Sequence, residues 1–325
     1  MWKQIMRAAI LAHASAGVGA ASAPADTYPS KPIRLIVGFT PGGNDDYVGR
    51  VVGARITQST GQTVIVDNRP GAGGNVGAEI TARANPDGYT LSSVGSITLA
   101  SSPSLYAKLG YDPLKDFSFI SRVAIGANVL VANPSLPAKS VAELVALARA
   151  QPSAIRYGTP GVASLGHLAM ELLQSVTGIK IVHIPYKGPA PAIAAVVGGE
   201  VQIGIGASTA AVPIVQAKRL NALAVTSAKR LGALPEVPTV AESGFAGFNV
   251  VNNHGILAPA GTPASVVRLL NAEIQKMLQM DDVKAKFPAL GLEAAGSTPD
   301  EFRDIVKAEL ARWTRVIKDA NITAN

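Results

Sequence analysis

No cysteine occurs in the 325 residues. Disulfides, thiol nucleophiles and cysteine-based zinc sites are therefore excluded together; the count itself is compatible with an oxidising compartment or with the cytosol. Histidine is scarce. Its four copies, His13, His167, His183 and His254, are too scattered to show metal-ligand spacing, so no metal is expected. Charged residues make up 16% and aromatic residues 5% of the chain. The net charge is +7, but Lys and Arg form no run and few rings are available for base stacking. That pattern argues against nucleic acid as a partner and fits a mildly basic carrier of anions. No stretch reaches the ~18–20 apolar residues of a membrane span. G-x-S-x-G, Walker and H-E-x-x-H motifs are all missing, so nothing indicates an enzyme or a bound cofactor.

What is present is apolar material for a sizeable core, 48% of residues. The N-terminus has a basic start, Lys3 and Arg7, a small and apolar stretch from Ala8 to Ala21, and an A-x-A signature at Ala23-Pro24-Ala25. This is the order of a secretory signal, so residues 1–25 are expected to be removed near Ala25 on export. Beyond it, strand and helix patterns alternate. Ile33–Phe39 is apolar on both faces and reads as a buried strand. Asp45–Ser59 carries Val48, Val51, Val52 and Ile56 at helical spacing, Thr63–Asp67 is a second strand, Val76–Ala84 a second helix and Tyr89–Ser93 a third strand. The rhythm restarts with a strand at Asn128–Ala132 and a helix at Ser140–Ala150, where Ser140 and Glu143 form a capping pair. It continues through Thr209–Ala217. Two successive α/β units with parallel strands imply two domains. The end is helical: Pro263 and Pro299 each open a helix.

Two glycine-rich loops join a strand to a helix start. The first runs from Thr40 through Gly42, Gly43 and Asn44 to Asp46; the second from Thr159 through Val162 and Ala163 to Ser164. Such turns aim free backbone N–H groups, at the positive end of a helix dipole, towards an anion such as a carboxylate. One loop per unit suits a ligand held across a cleft. Thr159 and Ser164 add hydroxyl donors. His167, one turn into its helix, is read either as a ligand contact or as a capping and packing residue. Asp46 is better suited to orienting loop N–H groups than to meeting an anion. Gly71–Gly77 fails the dinucleotide test, because Val76 stands where G-x-G-x-x-G needs glycine, and reads as a tight turn.

At these residues the chain resembles the Bug receptors, the TctC-like solute-binding proteins of tripartite tricarboxylate transporters. The resemblance rests on Tyr28–Val37 (YPSKPIRLIV), Pro41–Asp46 (PGGNDD), Asn68–Gly74 (NRPGAGG), Pro86–Leu91 (PDGYTL) and Pro137–Leu144 (PAKSVAEL). In the second half it rests on His183–Gly188 (HIPYKG), Leu223–Ser227 (LAVTS), Val237–Glu242 (VPTVAE) and Ala258–Pro263 (APAGTP). It implies an α/β chain with the type II periplasmic-binding-protein fold: two lobes, a central ligand cleft, and hinge strands crossing near Arg122–Ala132 and Gly247–Ala258. Residues 26–124 and 250–325 would form lobe 1 and residues 125–249 lobe 2. It further implies a monomeric periplasmic receptor that grips a small mono- or dicarboxylate between the two loops, with Gly95 and Ser96 as further contacts, and passes it to membrane transporter subunits. A receptor for a sensor kinase, or a hydrolase using Ser164 with His167, stay open as alternatives. Two departures bear on the ligand. In the segment of Gly206 and Ala207, Gly206 stands where amino-acid-binding members carry an acidic residue, which favours plain carboxylates over amino acids. Asn253 stands where tryptophan is common, so Asn253 and His254 either read the far end of the ligand or hydrate a loop.

Overall fold

The structure is a computed structural model that describes residues 28–323; the expected export signal lies outside the described residues. Strand β1 (Ile33–Val37), helix α1 (Asn44–Thr60), β2 (Val64–Asn68), α2 (Asn75–Ala82), β3 (Thr90–Gly95) and α3 (Ser96–Leu105) form the first unit. β1 lies between β2 and β3, parallel to both. Its one charged residue, Arg34, is satisfied at the neighbouring strand by Asp67, with Nη2 2.6 Å from Oδ2. The second unit holds β4 (Phe117–Ala132), α4 (Val141–Ala150), β5 (Arg156–Thr159), α5 (Leu165–Thr177), β6 (Val182–Pro185), α6 (Pro189–Val197), β7 (Ile203–Ala207), α7 (Ser208–Gln216) and β8 (Asn221–Val225). The chain ends in β9 (Val251–Pro259), α8 (Ala264–Leu278), α9 (Asp281–Ala289), β10 (Leu292–Ala294) and α10 (Pro299–Asp319).

The strand order is β2-β1-β3-β9-β4-β7-β5-β6. β4 belongs to both ends of that path. Phe117–Ala127 pairs antiparallel with β9, whereas Asn128–Ala132 pairs with β7. Two register shifts along the β4–β9 ladder bend the strand, as bulges do, and β4 leaves one lobe for the other at Ala127–Asn128. The chain returns at Val250–Val251, where the Val250 N–H still bonds Thr226 O before β9 begins. This is a two-lobed α/β fold of the periplasmic-binding type.

The apolar contacts do not stop at the lobe boundaries. α10 starts with the capping box of Thr298 and Glu301. Its Phe302 and Val306 pack with Val94, Leu99 and Phe119, but Trp313 and Ile317 join Leu130, Leu168 and Leu173 in the core of the second unit. α10 thus packs its first half on one apolar cluster and its second half on another, which also takes in Ile97 and Ala100 of α3. α3, α9 and the long N-terminal part of β4 went unread in the sequence. The first is rich in Ser and carries an internal proline, Pro103, so its helical period is hidden.

Candidate functional site

In parallel α/β sheets the C-terminal strand ends, with the helix starts that follow, form the ligand crevice. Here β1, β3, β5, β6 and β7 each hand over to a helix, and residues from all five following helix starts line one cavity of about 40 Å³. Gly43, Asn44 and Asp45 come from α1, Ile97 from α3, Ser164 and Gly166 from α5, Pro189 from α6 and Ala207 from the start of α7. Asn252 and His254 on β9 complete the wall. No lysine or arginine is among the lining residues. An anion there meets backbone dipoles and side-chain donors, and shares the wall with the carboxylate of Asp45.

The five positive helix ends are not equally free. At α1, Asp46 turns back: its Oδ2 accepts from the Gly42 N–H at 3.0 Å, and its carboxylate takes a two-point contact from Arg50. Burial pulls the Asp46 carboxyl up, but the donors from Arg50, Asn68 and Gly42 outweigh it and hold it below the ordinary value. At α3, Asn252 Oδ1 accepts from the Ile97 N–H at 3.0 Å. Gly95 has no side chain because a Cβ there would fall on the Asn252 amide. α6 begins with Pro189, which has no N–H to offer. At α7 the Thr209 N–H is taken by Asn44 Oδ1 at 3.2 Å. At α5, Ser164 is the N-cap, and the first-turn N–H groups of Leu165 and Gly166 have no intrahelical acceptor.

The α5 loop is braced from behind. Ala163 sits at φ 63, a left-handed backbone conformation unusual for a residue with a Cβ, and its N–H donates to His167 Nδ1 at 3.2 Å. Thr159 Oγ1 lies 2.6 Å from His183 Nε2. The two imidazoles stack with ring centres 4.2 Å apart, and Tyr157 stacks on the far side of His183. Burial pushes His167 down to about 4; burial, then the neighbouring His167, pushes His183 down to about 3. His167 therefore supports the loop and does not line the cavity. Nor do Ser164 and His167 form a nucleophile–base pair. Ser164 Oγ accepts from the His167 backbone N–H, while the ring nitrogen Nδ1 is occupied by Ala163.

Several sequence-selected residues fall elsewhere. Thr40 Oγ1 is sealed under Gly188 with no partner, and Val162 packs its carbonyl on Gly73. Ser96 donates to Asn252 Oδ1. The position of Gly206 corrects the inference built on it: a Cβ there would point at Ile193, 3.1 Å away, off the cleft, and its neighbour Ala207 lines the cavity instead. Asn253 likewise faces away, accepting from Arg122 Nη1 at 3.3 Å. Asp45, Asn128, Pro189 and Asn252 were not singled out. The available signal for Asn252 was the two-residue alternation of a strand, which puts it on the same face as His254 and opposite Asn253.

The lobes are in contact across the cleft. Thr209 on α7 donates to Asn44 through its N–H and, at 2.9 Å, its hydroxyl. Ser101 Oγ donates to Ala163 O at 3.2 Å.

Residues 48–322 match the family described as the tripartite tricarboxylate transporter family receptor. Protein BugT of Bordetella pertussis is 39% identical over 307 residues, covering 94% of both chains. Among solved structures, R. palustris Rpa4515 with adipate superposes with a TM-score of 0.88 at 36% identity, over 91% of this chain and 99% of that one. MatC of Rhodopseudomonas palustris, with bound malate, gives 0.84 at 29% identity, over 89% and 100%. On fold, site geometry and sequence together, this chain belongs to the tripartite tricarboxylate transporter receptor family.

Proposed function

We propose that this protein captures a small carboxylate in the periplasm by closing its two lobes on it, and delivers it to the membrane subunits of a tripartite transporter. The observation that carries this is the N-terminus of α5, with Ser164 at the cap, facing a cavity whose lining has no lysine or arginine. A carboxylate seated there gains charge-assisted hydrogen bonds from the Leu165 and Gly166 N–H groups and the Ser164 hydroxyl. The relatives solved with adipate and malate support the ligand class. We divide the chain into 26–124 with 250–298 on one side and 125–249 on the other, with α10 spanning both. Residues 1–25 act as the export signal.

Native mass spectrometry of protein taken from a periplasmic extract tests this. The expected species begins at Asp26 and carries one carboxylate, which calorimetry then measures. Ser164→Ala should weaken that ligand by about tenfold, the loss of one hydrogen bond to a charged group. Chemical turnover of the captured ligand, or no carboxylate bound at all, would sink the reading.

A further inference from the structure

The cavity wall contains one carboxylate. Asp45 is 6% exposed, in the first turn of α1, and lines the cavity. Its Oδ1 lies 2.6 Å from His254 Nδ1, and no other side-chain donor among the described residues reaches the carboxylate. The buried side-chain atoms sealed without a partner among the described residues are Thr40 Oγ1, Arg55 Nε and Glu273 Oε2. Asp45 Oδ2, which has no donor either, is therefore not sealed and opens onto cavity space.

The hydrogen-bond chain places the proton of the Asp45–His254 pair. The Thr209 backbone N–H can only donate, so the oxygen of the Asn44 amide faces it and the amide nitrogen faces His254 Nε2, 3.3 Å away. Nε2 must then be the bare acceptor, and the ring hydrogen sits on Nδ1, directed at Asp45. In this arrangement the Nδ1 hydrogen is the one side-chain donor that Asp45 receives among the described residues. Beyond the positive end of α1, on which Asp45 itself sits, no lysine or arginine among the described residues lines the cavity. Asp46 on α1 is turned to Arg50, and the Arg122 guanidinium on β4 is committed to Ala295 O and Asn253 on the opposite face of β9. Gly126 on β4 keeps the space that Asn44 and His254 occupy.

We propose that Asp45 is the specificity-determining residue of the cleft: the ligand end remote from the bound carboxylate must bring a hydrogen-bond donor, an ammonium or a hydroxyl, and a second carboxylate there is rejected. This rests on the carboxylate reading above. A donor at Asp45 Oδ2 makes a charge-assisted hydrogen bond, whereas two carboxylates facing each other in a cavity without cations repel with little screening. Where Gly206 suggested plain carboxylates, Asp45 supplies the acidic partner from another loop.

Calorimetry with butyrate, 4-hydroxybutyrate, 4-aminobutyrate and succinate, and the matching five- and six-carbon series, tests this on wild type and Asp45→Asn. These molecules share the carboxylate and differ only at the far end. In the best-fitting series the amino or hydroxy acid should bind at least about tenfold tighter than the diacid. Asp45→Asn should narrow or reverse that ratio by about tenfold while changing the simple monoacid little. A diacid as the tightest wild-type ligand overturns the proposal whether or not the variant folds, as does a rank order that Asp45→Asn leaves intact. If no compound of any series binds, the carboxylate reading itself falls, an outcome distinct from binding with the wrong preference.

Discussion

Gly43→Val is expected to hold the lobes apart and weaken ligand binding by about ten- to a hundredfold, with little change in the stability of the unliganded protein. Gly43 has φ −90 and ψ 172, a backbone conformation open to any residue, so the substitution stores no backbone strain. The obstacle is across the cleft. A Cβ at Gly43 would stand 2.7 Å from Pro189 Cγ at the start of α6, inside contact distance of a rigid ring. Overpacking of this kind costs about 1–3 kcal/mol, and because the contact exists only when the lobes meet, the whole cost falls on the closed form. A ligand that bridges the lobes loses that much affinity, since it binds through the closed population. The unliganded protein can avoid the clash by opening, and loses only a glycine N-cap, worth a few tenths to about 1 kcal/mol. Scattering profiles should show wild type contracting on ligand addition and Gly43→Val retaining its larger radius of gyration. An unchanged Kd with normal contraction would mean that Pro189 yields and that the lobe contact is not limiting.

Acidification should unfold the protein earlier than its carboxylates alone predict. His167, at 4% exposure, is pushed from 6.5 down to about 4, and its stacked neighbour His183 down to about 3. Because both folded-state values lie below the unfolded one, the unfolded chain binds protons first. Stability is fully present above about pH 6.5 and is lost as the pH falls from there towards about 4. His167 alone corresponds to about 3 kcal/mol over that window. The stacked rings titrate as a coupled pair, since the second proton would place two cations 4.2 Å apart. Protonation also turns His167 Nδ1 from an acceptor into a donor facing the Ala163 N–H, so the α5 loop should loosen with the fold. Asp46 adds its own loss only at lower pH, because its carboxyl is already held below the ordinary value. Urea unfolding at about pH 7.5, 6 and 5 should show the decline, and His167→Gln should flatten it. Equal unfolding free energies at pH 7.5 and 5 in wild type would contradict a buried neutral pair.

Much of the architecture was legible because its causes are local. The βα alternation follows from runs such as Ile33–Val37 and from helical spacing within single elements. The caps at Ser140 and Thr298 depend on residues three positions away. The two glycine-rich loops were recognisable because a strand-to-helix turn with glycine exposes N–H groups wherever it occurs. Reading along the chain cannot decide which of these loops faces the ligand with its donors still free. Asp46 takes the Gly42 N–H ahead of α1 and Asn252 takes the Ile97 N–H of α3, and only the folded chain brings Asn252 to a helix start 155 residues earlier.

By itself, then, the sequence determined the class of fold, the positions of the loops and the absence of thiol chemistry, since each follows from composition or from contacts a few residues long. Tertiary structure alone decided which side chains the cleft receives. Gly206 and Ala207 are neighbours, as are Asn253 and His254, yet one of each pair faces the cavity and the other does not. A strand turns successive residues to opposite faces, and which face becomes the cleft is fixed by partners as remote as Asp45 and His254, 209 residues apart.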